Sequence, residues 1–72
     1  MEYIWVTKGG WSAFRSKRDA LDYLKGLRFI AIADRAERKE KAPSKIVKSN
    51  DGNKYYFTFG CNSRAIRKVI LQ

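Results

Sequence analysis

Histidine is absent from this chain, and cysteine occurs once, at Cys61. That leaves no ligand set for structural zinc, which takes about four Cys or His residues, and no imidazole to act as a base. A single cysteine also excludes an intramolecular disulfide. A secreted domain this small usually needs such a staple, so a reducing, cytoplasmic setting is expected. The Met1-Glu2 start is not followed by a basic and then a long apolar segment, so no signal peptide is expected. The longest strongly apolar stretch, Phe29-Ile30-Ala31-Ile32-Ala33, is far short of the roughly 20 residues that cross a bilayer.

Acids are scarce and scattered, most of them beside bases. Asp19 and Asp22 are three apart on an expected helix, but Asp19 is better explained as a capping residue. No carboxylate pair for acid–base work emerges, and no enzyme activity, metal or cofactor is expected. Gly9-Gly10 follows a strand-like run without a Gly-Lys-Ser/Thr sequence, so it reads as a turn and not as a phosphate loop.

What the chain does have is positive charge. Sixteen Lys and Arg against seven Asp and Glu give +9 on 72 residues. Such a balance favours a polyanionic partner, of which nucleic acid is the commonest. The charge is uneven. Residues 1–28 carry six bases and three acids, or +3; residues 29–43 carry four and three, or +1; residues 44–72 carry six and one, or +5. The C-terminal part is the better candidate for an anion-facing surface. Apolar residues make up 44% of the chain and ten are aromatic, which is a globular composition despite the charge.

The pattern along the chain predicts one α+β domain over residues 1–72. Tyr3-Ile4-Trp5-Val6-Thr7 and Trp11 to Arg15 flank Gly9-Gly10 and predict a hairpin, with Trp5 and Trp11 placed to pair across its strands. Ser16, three residues before Asp19, predicts a capped helix over about Lys17 to Leu27, with Leu21, Leu24 and Leu27 at helical spacing. Phe29 to Ala33 reads as a short buried strand. Asp34 to Pro43 reads as a mixed-charge loop or a solvated helix that Pro43 ends. Lys45-Ile46-Val47-Lys48 and Lys54 to Phe59 flank Asn50-Asp51-Gly52-Asn53 and predict a second hairpin. A last helix is expected over Arg64 to Leu71, capped by Asn62 or Ser63. The expected architecture is an antiparallel sheet from two hairpins with two helices packed on it.

Three features bear on function. Arg64, Arg67 and Lys68 fall on one side of the expected C-terminal helix, a face that fits a phosphate backbone or simply a solvated surface. In the strand Lys54 to Phe59, Tyr55, Phe57 and Phe59 share the core face, which leaves Tyr56 exposed beside Lys54; an aromatic so placed can stack on an unpaired base, although core packing is the commoner role of such aromatics. Cys61, near Arg64 and an expected helix start, has features that activate a thiol, but a lone Cys in such a place is more often a small buried hydrophobe.

The segment from Trp11 to Leu21 is loosely similar to small sheet-plus-helix DNA-binding modules such as plant AP2 domains and integrase arm-binding domains, although the third strand that those modules place before the helix is missing. The resemblance implies DNA binding. The chain also has the general look of small bacteriophage accessory proteins.

The expected function is non-enzymatic nucleic-acid binding, with DNA ahead of RNA, through Lys45, Lys48, Lys54, Tyr56, Arg64, Arg67 and Lys68. The alternative is a small regulator or inhibitor that binds an acidic surface of a partner protein. Peripheral binding to anionic membrane through the C-terminal helix is a weaker third reading. Closure of exposed apolar area in a homodimer is a further option.

Overall fold

The computed structural model of the chain describes residues 2–71. Its elements are β1 (Glu2–Thr7), β2 (Ala13–Phe14), α1 (Lys17–Glu37), β3 (Val47–Lys48), β4 (Lys54–Phe59) and β5 (Asn62–Leu71). The strands form one antiparallel sheet in the order β2-β1-β5-β4-β3, and α1 packs across one of its faces.

Both hairpins form where the turn residues place them. Gly9, Gly10 and Gly52 take positive φ, which only glycine adopts without strain. The expected Trp5–Trp11 pair does not form. Trp5 stands opposite Phe14 in the register, and Trp11 lies in the connecting loop, 90% exposed.

The helix opens as its sequence requires. Ser16 is extended, and its Oγ accepts from the Asp19 N–H at 3.1 Å. Ala20, Leu24 and Ala31 are buried, with Leu21 and Leu27 packed beside them. This stripe continues at helical spacing well past Leu27, so Phe29 to Ala33 is not a strand but the middle of α1. Ala31 faces the core, while Phe29 and Ile30 point outward, 73% and 65% exposed. The helix stops before Pro43 by a Schellman-type end. Lys39 has φ 59°, and the Glu40 N–H donates to the Arg35 carbonyl at 2.8 Å. The chain then runs back along the helix, with Arg28 Nε on the Ser44 carbonyl at 2.8 Å and Pro43 buried.

The expected second helix is absent among the described residues. Asn62 to Leu71 is β5, the central strand, paired over six residues with β1 and six with β4. Ile66, Val69 and Ile70 are β-branched and favour a pleated surface. Neighbouring strands also take up backbone groups that a short terminal helix would leave to water, β4 along residues 62–67 and β1 along residues 66–71. Asn62 and Ser63 therefore begin a strand and cap nothing. The core joins the helix stripe to Trp5, Phe57 and Ile66, with Tyr55 and Phe59 packed against it as the alternation of β4 requires. The rings of Trp5 and Tyr55 are 5.7 Å apart. No helix among the described residues is long and apolar enough to cross a membrane.

Candidate nucleic-acid interface

A sheet covered by one helix has a second face without cover, and the register states what stands on it. Side chains of directly paired residues share a face, and alternate residues along a strand lie on opposite faces. Trp5, Phe57 and Ile66 define the helix side. The open side therefore carries Ile4 and Val6 of β1, Ala65, Arg67 and Val69 of β5, Lys54 and Tyr56 of β4, and Val47 of β3. Lys8 continues β1 by one residue, since its N–H donates to the Ala65 carbonyl at 2.9 Å. Its side chain joins the open face, where Nζ donates to Ser63 Oγ at 2.6 Å.

The face has two zones. Ile4, Val69 and Leu71 make one end apolar. Lys8, Lys54 and Arg67 make the other end basic, around a shallow depression of about 180 Å³ lined also by Tyr56 and Ala65. Lys54 and Arg67 stand directly opposite each other across β4 and β5. The Lys68 N–H donates to the Asn53 carbonyl at 2.7 Å, which makes residues 53 and 68 the hydrogen-bonded pair. Lys54–Arg67 is then a non-hydrogen-bonded pair, the kind in which side chains approach most closely. Like charges so placed destabilise the sheet. The Lys54 ammonium lies 5.3 Å from the Tyr56 ring centre, which offsets part of that cost.

Among the described residues no acid forms an ion pair in this zone. Asp19, Asp22, Asp34 and Glu37 are on α1, and Glu40 follows it. The ion pairs among the described residues, Arg35–Glu40 and Arg38–Asp34, both belong to the end of the helix. Only Glu2 lies in a strand, next to the apolar end. Asp51 is in the β3–β4 turn, where Oδ1 accepts from Ser49 Oγ at 2.6 Å and from the Asn53 N–H at 3.0 Å. These bonds hold its carboxyl below the ordinary value of 3.8.

The expected site residues are thus divided. Lys54, Tyr56 and Arg67 come together on the open face, with Tyr56 half-buried. Arg64, Arg67 and Lys68 do not share one side, because strand alternation replaces the helical one. Arg64 stands opposite Phe57 on the helix side, 5.2 Å from the Phe59 ring centre. Lys68 stands opposite Trp5, its Nζ 4.3 Å from the Tyr3 ring centre. Lys48 pairs with Tyr55 on that same side, and Lys45 is exposed in the segment before β3. Cys61 is exposed in the β4–β5 turn, neither a buried hydrophobe nor at a helix start. The membrane reading loses the C-terminal helix on which it rested.

Lys8 is the residue that the sequence reading missed. A base directly after a strand and before Gly-Gly was its signal, since the ladder continues to the turn. No family model, no curated protein and no solved structure matches this chain.

Proposed function

We propose that the chain is a non-enzymatic nucleic-acid-binding protein that uses the basic end of the open sheet face. Lys8, Lys54 and Arg67 neutralise phosphates, and Tyr56 supplies an aromatic surface among them. Lys45, exposed before β3, and Lys48, Arg64 and Lys68, on the helix side of the sheet, do not line this zone but add to the overall positive field that draws in a polyanion. The observation that carries the reading is the Lys54–Arg67 pair, two cations set face to face and, among the described residues, in no ion pair with an acid. A phosphate between them removes the repulsion that the free protein bears. DNA is the first ligand to test.

The test is fluorescence anisotropy with labelled DNA across a salt series. If about three cations reach phosphates, log K falls against log salt with a slope of about −3 for a duplex and about −2 for a single strand. A slope near zero refutes the proposal, as does binding that vanishes well below about 150 mM salt, because then the charge is only non-specifically attractive.

A second reading has its own observation. Phe29 and Ile30 are exposed on the outer side of α1, remote from the basic zone. Exposed apolar side chains of that size anchor protein contacts, which suits a regulator that meets an acidic partner surface. Loss of activity in Phe29→Ala with Ile30→Ala, and not in Lys54→Glu with Arg67→Glu, selects it.

A further inference from the structure

A second depression opens where the sheet ends under the helix. It is a groove of about 560 Å³, open to solvent, between the β1–β2 loop, the middle of α1 and the β4–β5 turn. That is within the range of about 300–1,000 Å³ usual for small-ligand sites. Trp11 and Tyr23 are its aromatic walls, Lys8 and Arg64 its cations, and Asn62 and Ser63 its neutral polar groups. No Asp or Glu lines it.

Trp11 is the unusual member. It is 90% exposed, whereas Trp5 is buried at 2%. The edge of its indole lies over Gly9, where a Cβ would come within 3.0 Å of Trp11 Nε1. Gly9 and Gly10, at φ 91° and 76°, hold the loop in a shape that β-carbons would strain. The loop thus presents a large flat ring to solvent at the lip of a cationic cleft. Lys8 meets a hydroxyl there and not an acid, so its charge stays available.

This cleft and the basic zone of the open face are neighbours. Both are lined by Lys8, Gly9, Ser63 and Ala65. A chain of phosphates crossing Lys54 and Arg67 passes the Lys8–Ser63 rim and arrives at Trp11. A duplex keeps its bases inside the stack and cannot insert one without extrusion. A single strand has bases free to stack on an aromatic ring while its backbone follows the cations.

We infer that the Trp11 cleft is a base-stacking subsite, so that this protein binds single-stranded nucleic acid in preference to duplex. The inference rests on the nucleic-acid reading above and adds the strand class and the residue that reads it.

Oligo-dT and a mixed-sequence duplex of equal length are the probes, with anisotropy to report affinity. Intrinsic tryptophan fluorescence reports the cleft, because the exposed Trp11 is the indole that a ligand can reach. Alkylation of Cys61, which is exposed and lines the same cleft, gives a readout that needs no mutation. Oligo-dT is expected to quench the fluorescence and slow the alkylation. Trp11→Ala is expected to weaken oligo-dT binding on the order of tenfold while duplex binding is unchanged. Circular dichroism checks that the variant folds, as an exposed loop residue should allow. Binding of both probes without quenching or protection, and with Trp11→Ala silent, overturns the cleft and leaves the open-face reading standing. Binding of neither probe at about 150 mM salt overturns both.

Discussion

Replacing Lys54 by Glu tests whether the open face is built for a ligand or for stability. In the free protein Lys54 and Arg67 repel each other across a non-hydrogen-bonded pair. A like-charge pair costs, and an opposite-charge pair contributes, roughly 0.2–1 kcal/mol each. Lys54→Glu removes the first and creates the second. It also loses the ammonium over the Tyr56 ring, worth about 0.5 kcal/mol at an exposed position. At the middle of these ranges the net is a stabilisation of about 0.7 kcal/mol, or roughly 3–6 °C in Tm for a domain of this size.

Nucleic-acid affinity should move the opposite way. One charged hydrogen bond to phosphate is lost and an anion faces the backbone, which weakens binding about tenfold or more. The salt dependence should become shallower by about 0.9 for a duplex or 0.7 for a single strand. Lys54→Gln should fall between wild type and Lys54→Glu on both measures. Thermal melts and salt-titrated anisotropy on the three proteins give both numbers. A variant that melts lower and binds as before refutes the reasoning, because the cations of this face would then be an ordinary solvated surface.

Two further outcomes follow from local structure. Gly26 is exposed within α1, and a Cβ there meets nothing within 4 Å; Gly26→Ala should therefore stabilise the helix by about 1 kcal/mol and raise Tm by roughly 4–8 °C, and an unchanged melt would show that this side of the helix is not free. Asp51 has a carboxyl pKa lowered first by the Ser49 hydroxyl and then by the Asn53 N–H. Its stabilisation of the β3–β4 turn is therefore present above the ordinary value of 3.8 and lost as pH falls through the lowered one. An NMR titration of the Asp51 carboxyl should show that lowered midpoint, and Asp51→Asn should lower Tm at neutral pH but not at a pH below it.

The elements that sequence reasoning placed well are those fixed by local chemistry. Gly-Gly and Asp-Gly define tight turns whatever surrounds them, and Ser16 caps a helix through an atom three residues away. The elements it misplaced are those whose identity depends on what they pack against. Phe29 to Ala33 is apolar enough for a buried strand. Only the continuation of the helix stripe to Ala31, and the return of the chain along Arg28, make it helical and turn Phe29 and Ile30 outward. Cost to solubility is the usual objection to such exposure. Here Lys25, four residues before Phe29, and Asp34, four after Ile30, border the pair with charge.

The C-terminal segment shows why a wrong period also misplaces a site. Ala65, Ile66, Val69 and Ile70 are spaced as one side of a helix, and Arg64, Arg67 and Lys68 as the other. Read as β5, the same residues give two mixed faces: Arg64, Ile66, Lys68 and Ile70 toward the helix, and Ala65, Arg67, Val69 and Leu71 away from it. Neither face is cleanly apolar, so alternation gave no signal, and the β-branched residues were the remaining clue. Toward the helix, Arg64 is exposed and Lys68 half-buried at the margins of the core, and the aromatic rings of Phe59 and Tyr3 lie beside their charges. Away from the helix, Arg67 has no ring or acid as its cross-strand neighbour, only Lys54 and Val6. The strand assignment thus splits one expected basic face into two cations that the fold itself accommodates and one that it does not. The unaccommodated one, Arg67, faces Lys54 in the zone proposed to meet phosphate.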